Sequence, residues 1–220
     1  SDPAIDVYDN AMFIIALDHL LEMAPDSPQA SRWKSLREGI ERNVRAHLWD
    51  VKRQKFIPHI YPEKSPIPEG FDELAIHYHG GTAVAIEAGL LSKDEIRTVN
   101  AQMLENVRLS GMPSIGLTLY PVYPDGFFHG GMSNDYLYLN GGDWTLFGGS
   151  MIQQLAVNGM VEEAYAEIHP MIERVIQNDG FYEWYGKGGV PSGSGNFKGS
   201  AGVLSKAIEL LRDWAEKNKS

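Results

Sequence analysis

Apolar positions recur along this chain in two alternating forms. Residues 7–23 are apolar on nearly every helical face, through Val7, Ala11, Met12, Phe13, Ile14, Ile15, Leu17, Leu20 and Leu21. A helix of that kind is expected to be buried all round. Residues 28–49 follow Asp26 and Ser27, both suited to an N-cap, and carry one stripe: Trp33, Leu36, Ile40, Val44 and Leu48. The contrast repeats. Residues 72–89 and 143–157 are mostly apolar, whereas 93–108 and 161–177 are striped, with charges between the apolar positions. A last segment, about 200–217, holds Ala201, Val203, Leu204, Ile208 and Leu211 and is read as buried.

A simple bundle needs only striped helices. Alternation of buried and half-exposed helices predicts two concentric layers: an all-α, α/α toroid with about seven helices. The links alternate as well. Those at 24–27, 90–92 and 158–160 are short, and those at 50–71, 109–142 and 178–199 are long. The long loops would gather on one face, where function usually resides. Residues 52–60 read as a β-hairpin and 180–185 as a strand. The whole of 1–220 reads as a single domain. Without the remaining helices, or self-association in their place, the apolar inner helices would lie open.

Composition is that of a globular protein, 43% hydrophobic and 22% charged, with a net charge of −10. An acidic surface repels phosphate backbones, so nucleic acid is not expected as a partner. The absence of cysteine excludes disulfides and thiolate metal sites. No apolar run approaches the roughly 20 residues that span a bilayer, so no membrane partner is expected. The chain begins with Ser1, as after removal of a leader or in a fragment.

The candidate chemistry sits in the long loops. Gly180-Phe181-Tyr182-Glu183-Trp184-Tyr185-Gly186 places one carboxylate inside an aromatic cluster. Aromatic faces bind the apolar faces of sugar rings, and a carboxylate among them can act as a general base. The alternative is a solvated loop carboxylate beside rings that merely pack. Tyr138-Leu139-Asn140-Gly141-Gly142-Asp143-Trp144 forms a second island. There Asp143 reads as an N-cap that could also reach a sugar hydroxyl, and Trp144 as core or sugar platform. The 109–142 loop also carries Tyr120, Tyr123, Phe127, Phe128 and His129, which line a cleft or pack across its mouth. His77 and His79 stand two apart, on different sides of a helix, without an acidic partner at matching spacing, so no metal site is expected. The glycines of 186–195 lack the G-x-x-x-x-G-K-[ST] pattern of a phosphate loop and read as a mouth loop.

Asn140-Gly141-Gly142-Asp143-Trp144, then Phe181-Tyr182-Glu183-Trp184-Tyr185, then Ser200-Ala201-Gly202 resemble the C-terminal half of six-hairpin glycosidases. The nearest likeness is to neutral/alkaline invertases, with their H-N-G-G-S-W and W-P-E-Y-Y blocks. The α-glucosidase, trehalase and glucoamylase clans are more distant. The resemblance implies an (α/α)6 toroid of twelve helices, of which this chain would hold the sixth to the twelfth. It implies a general base in the loop before the last helix, where Glu183 falls. It puts the general acid near Asp2, Asp6 or Asp9, with Asp6 the choice, or upstream of Ser1. Asp143 stands where the invertases have a small residue and Gly186 where they have an acidic one, which counts against sucrose.

The expectation is therefore a glycoside hydrolase acting on an oligosaccharide or glycoside, inverting and α-glucoside-like, without a cofactor. Asp143, Trp144, Trp184, Tyr185, His129 and Asn140 would bind the sugar. A glycoside phosphorylase on the same fold and a non-catalytic sugar-binding fragment are the alternatives.

Overall fold

The computed structural model describes residues 3–128 and 135–218. His129 and Asn134 lie outside the described residues, as does Asp2. The chain divides into two compact units, 1–99 and 100–220.

In the first unit, helix α1 (Val7–Met23) packs against α2 (Ala30–His47) and α3 (His79–Glu87). Asp6 caps α1, its Oδ1 accepting the Asp9 N–H at 2.9 Å. The close approach of α1 and α3 needs a glycine: a Cβ on Gly81 would lie 2.7 Å from Val7 Cγ1. Contrary to the expectation for residues 7–23, only Val7, Ala11, Ile14 and Leu17 of α1 are buried, while Phe13 and Met23 are open. The reason is that α2 and α3 cover one side of α1 only. Nor do Asp26 and Ser27 cap α2, which starts later; Gln29 holds the N-cap position, and Ser27 Oγ instead accepts the Gln29 N–H at 3.2 Å.

A two-stranded ribbon follows, β1 (Trp49–Asp50) antiparallel to β2 (Lys55–Phe56), turning slightly earlier than the hairpin expected at 52–60. The helix expected over 72–89 is shorter. Residues 73–75 form one 3-10 turn, Ile76 is extended at φ −64°, ψ 131°, and α3 begins only at His79. The Ile76 carbonyl accepts from the buried Lys55 Nζ, which draws it out of a helical ladder. Helix α4 (Lys93–Ser110) opens on a capping box: Ser92 N–H donates to Glu95 Oε2 at 2.9 Å, and Glu95 N–H to Ser92 Oγ at 3.4 Å.

In the second unit, α5 (Thr145–Val157) is the central helix, packed against α6 (Val161–Gln177) and α7 (Lys198–Lys217). Its neighbours come close because of Gly148 and Gly149. A side chain at Gly148 would collide with Met171 of α6, and a Cβ at Gly149 would lie 2.8 Å from Val203 Cγ2 of α7. Met151, Ile152 and Leu155 complete the core. Helix α7 is amphipathic and not buried all round: Ser200, Leu204 and Ala207 are covered, whereas Ile208 and Trp214 are exposed, because α5 and α6 meet only one of its faces. The loop from α6 to α7 contains a second ribbon, β3 (Trp184–Tyr185) antiparallel to β4 (Pro191–Ser192).

Candidate active site

Glu183 immediately precedes β3. Trp184 pairs with Ser192 and Tyr185 with Pro191, yet the Glu183 N–H donates to the Ser194 carbonyl at 3.0 Å. Gly193 is therefore an extra residue, a β-bulge that bends the strand facing Glu183. Its φ of +71° favours glycine, and a Cβ there would collide with the Glu183 carboxylate. The Ser194 N–H donates to Glu183 Oε2 at 3.4 Å. The half-exposed carboxylate has no ion-pair partner among the described residues. Ser200 Oγ of α7 donates to the Tyr182 carbonyl at 3.0 Å and ties this loop to the helix that follows.

The second island lies beside the first. Asp143 and Tyr185 exchange two backbone hydrogen bonds, 2.9 Å from the Asp143 N–H and 2.8 Å from the Tyr185 N–H. The Trp144 indole N–H donates to the Tyr138 carbonyl at 3.1 Å, and the Tyr138 ring stands edge-on to Trp144 and to Trp184, with centroids 4.9 and 6.3 Å away. Trp144 is almost enclosed, also meeting Phe147 and Phe197, while Trp184 is half-exposed. Tyr136 and Tyr138 both adopt left-handed backbone, at φ 56° and 47°, a strained conformation for aromatic residues. Lys187 places its ammonium 3.8 Å from the centre of the Tyr136 ring.

Asp143, Asn140 and Tyr185 are each 0% exposed, which puts them behind the aromatic surface instead of on it. Asp143 does not cap α5; Trp144 holds the N-cap position and makes no side-chain capping bond. The Asp143 carboxylate instead lies 2.7 Å from Arg174 Nη1 and accepts from Ser114 Oγ at 2.9 and 2.7 Å. Arg174 also donates to Thr145 Oγ1 at 2.7 Å and stacks 4.0 Å above the Tyr185 ring. Burial pushes the Tyr185 phenol upward, against the opposing pull of Arg174. The Asn140 side chain acts as a piece of backbone: Oδ1 accepts the Tyr123 N–H at 2.9 Å and Nδ2 donates to the Tyr123 carbonyl at 3.1 Å. Tyr123, Phe127 and Phe128 pack on one another at 4.8–5.0 Å, closing the long loop on itself. Sequence reasoning passed over Arg174 and Ser114 because each lies outside both aromatic islands.

The other carboxyl singled out, Asp6, belongs to the first unit. Ile5 and Ile60 pair across two backbone hydrogen bonds of 2.8 and 2.9 Å, which brings the chain's beginning beside His59. His59 Nδ1 lies 2.9 Å from Glu73 Oε1, which also accepts from Tyr61 Oη at 2.7 Å. Burial raises the Asp6 carboxyl above the usual range; the neighbouring Asp9 adds to this, while the Asp9 N–H and His59 oppose it. The His77 and His79 rings lie 5.1 Å apart, and burial together with the Lys55 charge pushes His77 down to about 3. Burial brings the Lys55 amine down to about 8.

No protein-family model and no curated protein sequence matches this chain. Solved structures do. The mannosylglycerate hydrolase of family GH63 from Thermus thermophilus, in complex with Tris and D-glycerate, matches 96% of this chain at 18% identity with a TM-score of 0.64. The same enzyme in complex with glucose matches at 0.65. A structure described as a sialidase matches 85% of the chain at 13% identity with a TM-score of 0.62. The fold is thus the six-hairpin, glycosidase-like (α/α)6 toroid. The chain spans 46% of the length of the hydrolase and 17% of the sialidase.

Proposed function

We propose that this chain carries the base side of a glycoside hydrolase, as the C-terminal part of one (α/α)6 catalytic domain. The observation that carries the reading is Glu183: a half-exposed carboxylate without an ion pair among the described residues, set across from the Gly193 bulge in the same loop as the half-exposed Trp184. The fold shared with a glycoside hydrolase of family GH63 supports it.

In this reading Glu183 accepts a proton from water as the water's oxygen attacks the anomeric carbon. A second carboxyl, protonated beforehand, donates its proton to the leaving oxygen. The bond to the leaving group breaks with inversion, which needs roughly 6.5–9.5 Å between the two carboxyls to admit the water. An acid for this step needs an elevated pKa. Burial gives Asp6 such a shift, which supports it as the proton donor. Trp184 presents apolar ring surface to a sugar, and the almost enclosed Trp144 supports it through Tyr138. Asn140, Asp143 and Tyr185 hold that surface from behind. The substrate is an α-linked glucoside or, by analogy with the GH63 enzyme, a mannosylglycerate-like glycoside. The helices that complete the ring come from further polypeptide or a second copy of the chain; a well-behaved, folded monomer of these 220 residues alone in light scattering would count against that.

The test is sugar release from α-glucosides, sucrose, trehalose and mannosylglycerate, with and without phosphate, by the wild type and Glu183→Gln. Loss of a general base costs about 10²–10⁴-fold. Release undiminished in the variant overturns the assignment of Glu183. Release that requires phosphate identifies a phosphorylase, and sugar binding without release a binding module.

A further inference from the structure

The ribbon that follows Glu183 is held by a buried charged cluster. Arg174 is 6% exposed and belongs to α6. Its guanidinium meets three separate parts of the unit. The plane covers the Tyr185 ring at 4.0 Å, Nη1 lies 2.7 Å from Asp143 Oδ1, and Nη2 donates to Thr145 Oγ1 at 2.7 Å in the first turn of α5. Asp143 in turn takes two contacts from Ser114 Oγ and exchanges both backbone hydrogen bonds with Tyr185. Gly116 leaves the room for this: a side chain there would collide with Asp143 Oδ1 and the Trp144 carbonyl.

A planar guanidinium can stack and form lateral hydrogen bonds at once; an ammonium cannot. Arg174 therefore ties Tyr185 to the start of α5, and with it both Trp144 and the strand that follows Glu183. We propose that Arg174 is a positioning residue for the reaction, acting through Asp143 and Tyr185 to fix the stretch of backbone that presents the Glu183 carboxylate. The proposal rests on the reading of Glu183 as the base. A misplacement of the base by about 1 Å costs about 10²-fold in turnover, whereas a purely structural cation would be dispensable once its buried partner was neutralised.

Arg174→Met alone leaves the Asp143 carboxylate buried without a counter-ion and endangers folding. The decisive variant is therefore Arg174→Met with Asp143→Asn, which removes both charges. Two quantities are measured in this chain: kcat and KM on a substrate the wild type cleaves, and hydrogen exchange of peptides covering residues 181–192. The expected result is a folded protein with kcat lowered about 10²-fold, KM within about twofold, and faster exchange in that segment. Wild-type exchange in the double variant overturns the positioning role whether or not the chain turns over any substrate. Faster exchange with kcat kept shows that the ribbon is held by Arg174 but that Glu183 is not the base, which separates the failure of the two ideas and overturns the proposal as stated.

Discussion

Replacing Glu167 with glutamine should stabilise the protein at alkaline pH and leave it unchanged in acid. Glu167 on α6 is 7% exposed, and Asn100 Nδ2 on α4 donates to its Oε1 at 2.8 Å. Among the described residues, Glu167 Oε2 and Asn100 Oδ1 are both buried without a hydrogen-bond partner. Two acceptors cannot satisfy each other, but a proton on Oε2 lets the acid and the amide form a two-bond ring. Burial raises the carboxyl to about 7, and the charge of Glu163 adds to that, while the Asn100 bond works the other way. From the ordinary 4.5 to about 7, at about 1.4 kcal/mol for each tenfold change in affinity, the native state favours the neutral acid by about 3 kcal/mol. The sign follows from proton counting. Between pH 4.5 and about 7 the folded chain holds a proton that the unfolded chain has released, so stability falls across that window, and the full penalty is present above it. Glutamine supplies the N–H permanently and does not titrate. At pH 8 its melting temperature should exceed that of the wild type by about 6–12 °C, taking about 2–4 °C per kcal/mol at this size. At pH 4 the two should coincide. The assay is calorimetry at pH 4, 6, 7 and 8. A constant difference between the two proteins at all four pH values would refute the neutral-acid reasoning.

Other substitutions probe the site directly. Gly193→Ala puts a methyl where the Glu183 carboxylate stands and strains a residue at φ +71°. It should cost about 1 kcal/mol or more in urea unfolding and lower kcat more than it raises KM. Wild-type kcat in that variant would show that the bulge does not aim the carboxylate. Asn140→Ala removes two buried hydrogen bonds to the Tyr123 backbone. A loss of about 2 kcal/mol or more is expected from the denaturation midpoint, and an unchanged midpoint would mean that water replaces the amide.

How far each feature was legible depends on the range of the force behind it. The periodicity of 161–177 predicted the bounds of α6, but not its buried side, which takes in Glu167 and Arg174 while the apolar Tyr165 and Ile176 stay exposed. Residues 72–78 misled, since their apolar content is compatible with helix and the competitor is distant in sequence: Lys55 takes the Ile76 carbonyl. The all-round apolar character of α1 predicted burial on every face, but the partners within its unit cover one side. At the site, Glu183 and Trp184 stood out by composition alone. Asp143 also stood out, yet its cap reading failed because a cation from α6 claims the carboxylate more strongly than the N–H groups of α5.

By itself, then, the sequence determined the places of the helices, the α/α-toroid class and the aromatic islands, since these rest on side chains interacting with near neighbours or with water. Only the tertiary structure decided which of the polar residues face a ligand and which hold the frame. Arg174 meets Asp143, Thr145 and Tyr185 only after three elements have packed, and Gly193 matters only because Glu183 lies across from it. Burial of a charge is a property of the surrounding atoms, and no local pattern encodes it.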